Sequence, residues 1–185
     1  MKLYKKNLKK LINSKVYDPN MEHDACGVGL VVSTEGKKSR KIVEYGIEAL
    51  KAVWHRGAVD ADGKTGDGAG IHVEISRDFF KEKIENYGRQ YDSGEICVGM
   101  IFLPRNDYSS QEKCKTLIET ELLSNNYYIY RWRQVQINTS VLGVKAELTR
   151  PEIVQVIFKS NDRSLKDKEL ERQLYIIRRA IEKKA

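Results

Sequence analysis

Asp24-Ala25-Cys26-Gly27-Val28-Gly29-Leu30 sets a cysteine among small residues, immediately before a β-type run that continues through Val31, Val32 and Ser33. Small neighbours let a ligand approach the sulfur closely. A thiol is intrinsically nucleophilic but needs a base. No adjacent side chain is an obvious one: His23 lies upstream, and His55 and His72 reach Cys26 only through the fold. Two readings stand here. In one, Cys26 is a small buried hydrophobe. In the other, cutting the Ala25–Cys26 bond frees the α-amino group of Cys26, with a pKa of about 7.7–8.0. That amine sits beside the thiol and serves as its base, which is the N-terminal-nucleophile arrangement. Residues 1–25 are then a removable leader.

Upstream, Lys2, Lys5, Lys6, Lys9, Lys10 and Lys15 are scattered among Leu3, Leu8, Leu11 and Ile12. That spacing suits a short amphipathic helix or a solvated tail, and it lacks the continuous apolar core of a secretory signal. Tyr17-Asp18-Pro19-Asn20 reads as a turn. Downstream, Val43, Gly46, Ile47, Leu50, Val53 and Trp54 recur on one helical face, so a helix is predicted over 40–54. Gly57, in His55-Arg56-Gly57, is placed to end it.

A polar, glycine-dense loop follows, with Asp60, Asp62, Gly63, Lys64, Thr65, Gly66, Asp67, Gly68 and Gly70. Alternation then predicts a strand over 71–75. Further strands are expected over 27–33, 96–103, 127–137 and 152–159, and helices over 77–86, 109–123 and 165–184. The elements alternate without repeat or linker, as one unit.

The chain has 185 residues, 41% of them apolar, enough to bury a core without disulfides or metal. No run approaches the length of a membrane span. Net charge is +7; residues 1–25 carry +3 of it, six lysines against three acids, and the six lysines all fall in the first fifteen residues, so a good part of the basicity sits at one end and is not spread over a face. That pattern disfavours nucleic-acid binding, which wants a basic stripe or groove-reading helix. Cys26, Cys97 and Cys114 form neither a disulfide framework nor a zinc-binding pattern, and a reducing, cytoplasmic setting fits them. Cys97 and Cys114 fall at core positions. Gly63-Lys64-Thr65 invites a phosphate-loop reading, but the spacing from Gly57 is one residue too long and the preceding element is a helix. Tyr127-Tyr128-Ile129-Tyr130-Arg131-Trp132-Arg133 could serve a single-stranded nucleic-acid module. A strand with one aromatic face in the core accounts for it better.

DACGVGL, then HRGAVDADGKTGDGAG, then RQVQINTSVLG together resemble the amino-terminal class II glutamine amidotransferase domain of glutamate synthase large subunits. The resemblance implies an α+β fold, the αββα four-layer sandwich of N-terminal-nucleophile (Ntn) hydrolases, with two antiparallel sheets between helices. It implies a leader at 1–25 and a catalytic domain over 26–185. The Cys26 thiolate would attack the side-chain amide of L-glutamine, release ammonia and pass through a γ-glutamyl thioester to glutamate. Ammonia would reach 2-oxoglutarate at a flavin domain of the full-length enzyme. FMN and an iron–sulfur cluster belong to that enzyme, not to this chain, and a small subunit is a further partner. No metal, nucleic acid or membrane is expected for this chain.

By the same resemblance, Gly27, Arg56 and Gly57 pack beside the nucleophile, and Asp62, Lys64, Thr65 and Asp67 form a loop near the site. The family's oxyanion Asn-Gly pair has no counterpart, since no Asn-Gly dipeptide occurs in the sequence. The later arginine that clamps the substrate carboxylate is missing as well. The sequence therefore reads as incomplete at the C-terminus: a weak or inactive glutaminase alone, or a non-catalytic half that partners a second chain.

Overall fold

The computed structural model describes residues 2–14, 27–53, 57–66, 68–92 and 94–185. Contacts divide the chain into two units, residues 1–58 with 69–71, and residues 59–68 with 72–185.

In the first unit, α1 spans Lys2–Asn13 and α2 spans Arg40–Ala52. The lysine-rich start is thus helical. α2 begins at Ser39, whose hydroxyl accepts the Lys41 N–H at 3.1 Å and satisfies one orphan donor of the first turn. Its apolar face, with Val43, Ile47 and Leu50, is half-buried.

The second unit is built on a sheet of β1 (Cys97–Leu103), β2 (Tyr127–Gln134) and β3 (Glu152–Ser160). Its order is β1-β3-β2, antiparallel throughout. α3 (Arg77–Glu85) precedes β1, and α4 (Tyr108–Ser124) joins β1 to β2. A 3₁₀ turn (Thr139–Val141) and the short α5 (Val144–Thr149) lead into β3, and α6 (Asp167–Lys184) closes the chain. β3 lies at the centre, and its residues Val154-Gln155-Val156-Ile157-Phe158 are all buried, as a strand covered on both faces requires.

Period-2 alternation divides those residues between two cores. Val156 and Phe158 join Cys97, Tyr127, Ile118, Leu122, Leu170 and Ile177, so α4 and α6 cover one face. Ile157 joins Ile96, Tyr130, Phe80 and Ile84, so α3 covers the other. Tyr130 joins this second core at a register shift between Ile129 and Arg131, which leaves it without a cross-strand partner and sets Arg131 opposite Ile157. α4 starts at Asp107, whose carboxylate accepts the Ser110 N–H at 3.0 Å and its hydroxyl at 2.6 Å. α6 has Asp167 and Glu169 in its first turn and Lys183 and Lys184 in its last, which complements the helix dipole.

Mixed helix and antiparallel sheet are as the sequence implies. The strands expected over 27–33 and 71–75 are corrected, however. Neither segment enters a ladder, and Val28, Leu30 and Val32 are 94%, 85% and 64% exposed. Alternation identifies a chain suited to half-burial, but a strand also needs a hydrogen-bonding neighbour, and among the described residues β1, β2 and β3 pair only with one another. Among the described residues one sheet is formed, so the two-sheet sandwich is represented by one layer of strands.

The nucleic-acid reading of residues 127–133 is overturned. The Tyr127 and Tyr130 rings are buried, and the Trp132 indole N–H donates to Glu119 at 2.6 Å. Arg131 donates to the Lys83 carbonyl and Arg133 to Gln155. These groups are spent on the fold and cannot stack on bases.

Candidate functional site

Ala25, Cys26, Arg56 and Asp67 lie outside the described residues. Gly27 and Gly57 are described, and both are exposed, outside helix and strand. The structure gives fuller detail for the loop that follows. Residues 59–66 form a hairpin closed by the Val59–Gly66 bridge, with the Asp60 N–H donating to the Thr65 carbonyl at 2.7 Å. Gly63 sits at its tip with φ +67°, a conformation that favours glycine.

Asp62 organises the hairpin from within. Its carboxylate accepts the Thr65 hydroxyl at 2.5 Å, the Thr65 N–H at 2.7 Å and the Lys64 N–H at 2.9 Å. These bonds, the Thr65 hydroxyl foremost, hold its carboxyl far below the usual carboxylate range. They also dispose of the phosphate-loop reading, because the Lys64 and Thr65 amides that would cradle a phosphate are occupied by a carboxylate.

The sequence did not single out the far side of this contact. Gly143 is buried at the start of α5, against the hairpin. A Cβ there would stand 2.5 Å from the Thr65 nitrogen and closer still to the Thr65 hydroxyl and the Asp62 carboxylate. Its φ of −74° suits any residue, so glycine serves here for space and not for backbone freedom. Lys145 adds an ion pair to Asp60 at 2.7 Å. At the other end of α5, Glu147 accepts from Arg105 at 2.5 Å and from Arg150 at 3.0 Å, and its carboxyl is lowered mainly by Arg150. Gly143 ends the stretch RQVQINTSVLG, so the motif it belongs to was visible in the sequence while its contact with the hairpin was not. Two separated motifs therefore meet face to face.

A cleft of about 630 Å³ along α4 and one of about 330 Å³ between the end of β1 and α5 contain none of the residues named from sequence. Cys97 is buried in the first core, and burial pushes its thiol up to about 12. Cys114 is half-buried on α4. Among the described residues no group of His, Cys, Asp and Glu is placed to hold a metal ion. No described helix is long and apolar enough to cross a membrane.

The chain belongs to the class-II glutamine amidotransferases, whose family profile matches residues 26–185, opening on the cysteine. Among full-length relatives it is 52% identical over 180 residues to the glutamate synthase [NADPH] large chain of Azospirillum brasilense, covering 97% of this chain and 12% of that protein. It is 38% identical over 172 residues to the ferredoxin-dependent glutamate synthase of Pyropia yezoensis, covering 92% of this chain and 11% of that one. With the glutamate synthase [NADH] of Saccharomyces cerevisiae it shares 34% over 173 residues, 89% of this chain and 8% of that one. The chain thus spans about a tenth of the length of these relatives.

Proposed function

We propose that this chain is the glutaminase portion of a glutamate synthase, with Cys26 as its nucleophile. The observation that carries the reading is the family match, which begins on Cys26 and runs to residue 185. The freed α-amine of Cys26 takes the thiol proton. The sulfur bonds to the side-chain carbonyl carbon of glutamine, and the amide nitrogen leaves as ammonia with that proton. Water then cleaves the γ-glutamyl thioester, giving glutamate and restoring the thiol. Gly27 leaves the approach to the sulfur open. Arg56 and Gly57 support the nucleophile, the guanidinium through its fixed fork of donors. Asp62, Lys64, Thr65 and Asp67 belong to a loop beside the site.

Residues 1–25 act as a leader removed by cleavage between Ala25 and Cys26. The Azospirillum alignment is longer than the stretch from Cys26 onward, so the similarity between the two chains extends into these residues. The ammonia is used with 2-oxoglutarate elsewhere in the longer enzyme, where FMN and an iron–sulfur cluster supply the reducing electrons, with a small subunit as a further partner. The sparse cysteines suit a cytoplasmic setting.

Labelling with an electrophilic glutamine analogue, followed by peptide mapping, tests the nucleophile. Modification confined to Cys26 is expected. Modification at Cys97 or Cys114 in its place overturns the reading. Intact-mass analysis tests the leader: a species that retains residues 1–25 and still hydrolyses glutamine refutes the N-terminal amine as base.

A further inference from the structure

The sheet of the second unit has two unlike edges. On one side β2 carries Arg131, Arg133 and a register shift, features that discourage further pairing. On the other side β1 carries no charge and no register shift, and among the described residues it is paired with β3 alone. Its side chains alternate between faces. Cys97 and Ile101 belong to the first core, and Val98 packs against the second. Met100 and Phe102 follow Val98 on the same face, but both are exposed.

The residues of this edge fit a second copy of themselves. Opposed residues of an antiparallel pair point to the same face, so a strand related to its twin by a two-fold axis is centred on a residue. One register uses the whole of Cys97–Leu103, the one centred on Met100. It sets Cys97 across from Leu103, Val98 across from Phe102, and Met100 across from its twin, so the two exposed apolar side chains gain apolar neighbours. With no charge on the strand, no like charges oppose one another. By the same count Glu95 of each copy falls across from Arg105 of the other. Glu95 already pairs with Arg77 at 3.0 Å, and Arg105 with Glu147 at 2.5 Å, so charges alternate in sign along each junction. Centring on Ile101 uses only residues 99–103 and sets Glu95 across from Asp107. Centring on Gly99 uses only residues 97–101 and sets Glu95 across from Leu103.

We propose that β1 is a self-association edge, pairing antiparallel with β1 of a second copy of this chain, with Met100 on the two-fold axis and Glu95 facing Arg105 at both ends. Both copies use the same edge, so the interface closes on itself and leaves β2 outermost on either side. Burial of Met100 and Phe102 and the backbone ladder supply the attraction, and the charged ends choose the register. The surface lies within the second unit and is independent of the glutaminase reading.

The test uses the full natural chain. Met100→Cys places two thiols on the axis, where opposed Cα atoms stand about 4.5–5.5 Å apart, within the span of a disulfide. Under oxidised glutathione, which accepts the two hydrogens, peptide mapping should find a bridge joining the two substituted positions. Tyr108→Cys, exposed at the start of α4, should form none. In sedimentation experiments Met100→Lys should weaken self-association about tenfold or more, because two ammonium groups then meet on the axis. Glu95→Lys and Arg105→Glu should each weaken it too. An equimolar mixture of those two variants should associate again, since both junctions of the mixed dimer then join opposite charges. Absence of a bridge in Met100→Cys overturns the proposal, as does an equal yield from Tyr108→Cys. Unchanged association of Met100→Lys overturns it, and so does a mixture that associates no better than its components. If Met100→Lys does not fold, the bridge and the mixture decide the matter alone.

Discussion

Ile157 is the residue on which the second core of the sheet turns. It lies mid-strand in β3, between Val98 of β1 and Arg131 of β2, with 0% of its surface exposed. Its side chain packs with Phe80 and Ile84 of α3, Ile96 and Tyr130. Ile157→Ala removes three carbons. At about 0.8 kcal/mol per buried methylene that is about 2.4 kcal/mol. The site is walled by backbone on both flanks and cannot collapse freely, so a cavity penalty raises the loss to about 3–4 kcal/mol. Ile157→Val, which deletes one carbon, should cost about 1 kcal/mol. Urea unfolding followed by circular dichroism measures both, and the midpoint should shift at constant slope. A loss below about 1 kcal/mol for the alanine variant would refute a closed core between α3 and the sheet. A changed slope would refute the premise that only the folded state was affected.

Alkaline pH should weaken the second unit. Cys97 rises from 9.0 to about 12 and Tyr127 from 10.0 to about 12 on folding, both chiefly through burial. Above pH 9 the unfolded chain has lost protons that the folded one keeps, so stability is full below that pH and declines toward pH 12. Cys97→Ala should flatten the decline measured by urea titration between pH 8 and 11. Iodoacetamide at pH 8 should modify Cys97 only in denaturant, as peptide mapping will show. Acid acts on the hairpin instead. The folded carboxyl of Asp62 is lowered, so its contribution is present above its ordinary 3.8 and is lost as pH falls below that value. Opening of residues 59–66, followed by two-dimensional NMR of the Thr65 amide, should begin at acid pH and be absent at pH 6. Gly99→Ala should destabilise the β1–β3 pair, because the new Cβ would stand 2.8 Å from Val156 Cγ1. Gly99→Ala with Val156→Ala should recover part of that loss in the same urea assay.

Much of the second unit was legible in the sequence. Cys97–Leu103, Glu152–Ser160 and the helices Tyr108–Ser124 and Asp167–Lys184 fall within two residues of their expected limits: the two strands are continuous apolar runs, and α6 carries its apolar residues on one helical face. β2 ends at Gln134, short of the expected 137, although the Val135 N–H still donates to the Ile153 carbonyl at 3.0 Å. The failures at 27–33 and 71–75 have a different origin. A side-chain pattern describes what a strand does with its faces and says nothing of which chain lies beside it. The candidate site divides in the same way. The polar loop at 60–67 stood out by composition, but its docking partner at Gly143 has no local mark: its backbone angles are ordinary and its neighbours are apolar. Only proximity in three dimensions reveals why a side chain is forbidden there.

β1 pairs with β3 along one side only, and its sequence Cys97-Val98-Gly99-Met100-Ile101-Phe102-Leu103 carries no charge. Met100 and Phe102 are 51% and 64% exposed on it. Soluble proteins usually blunt such a margin with lysine, a bulge or a proline, and here Pro104 stands just past the end. Among the described residues no strand lies along its outer side, and an uncharged margin of this kind invites a second ribbon. At high concentration the molecule's handling in solution will be governed by that margin, before its chemistry is ever called upon.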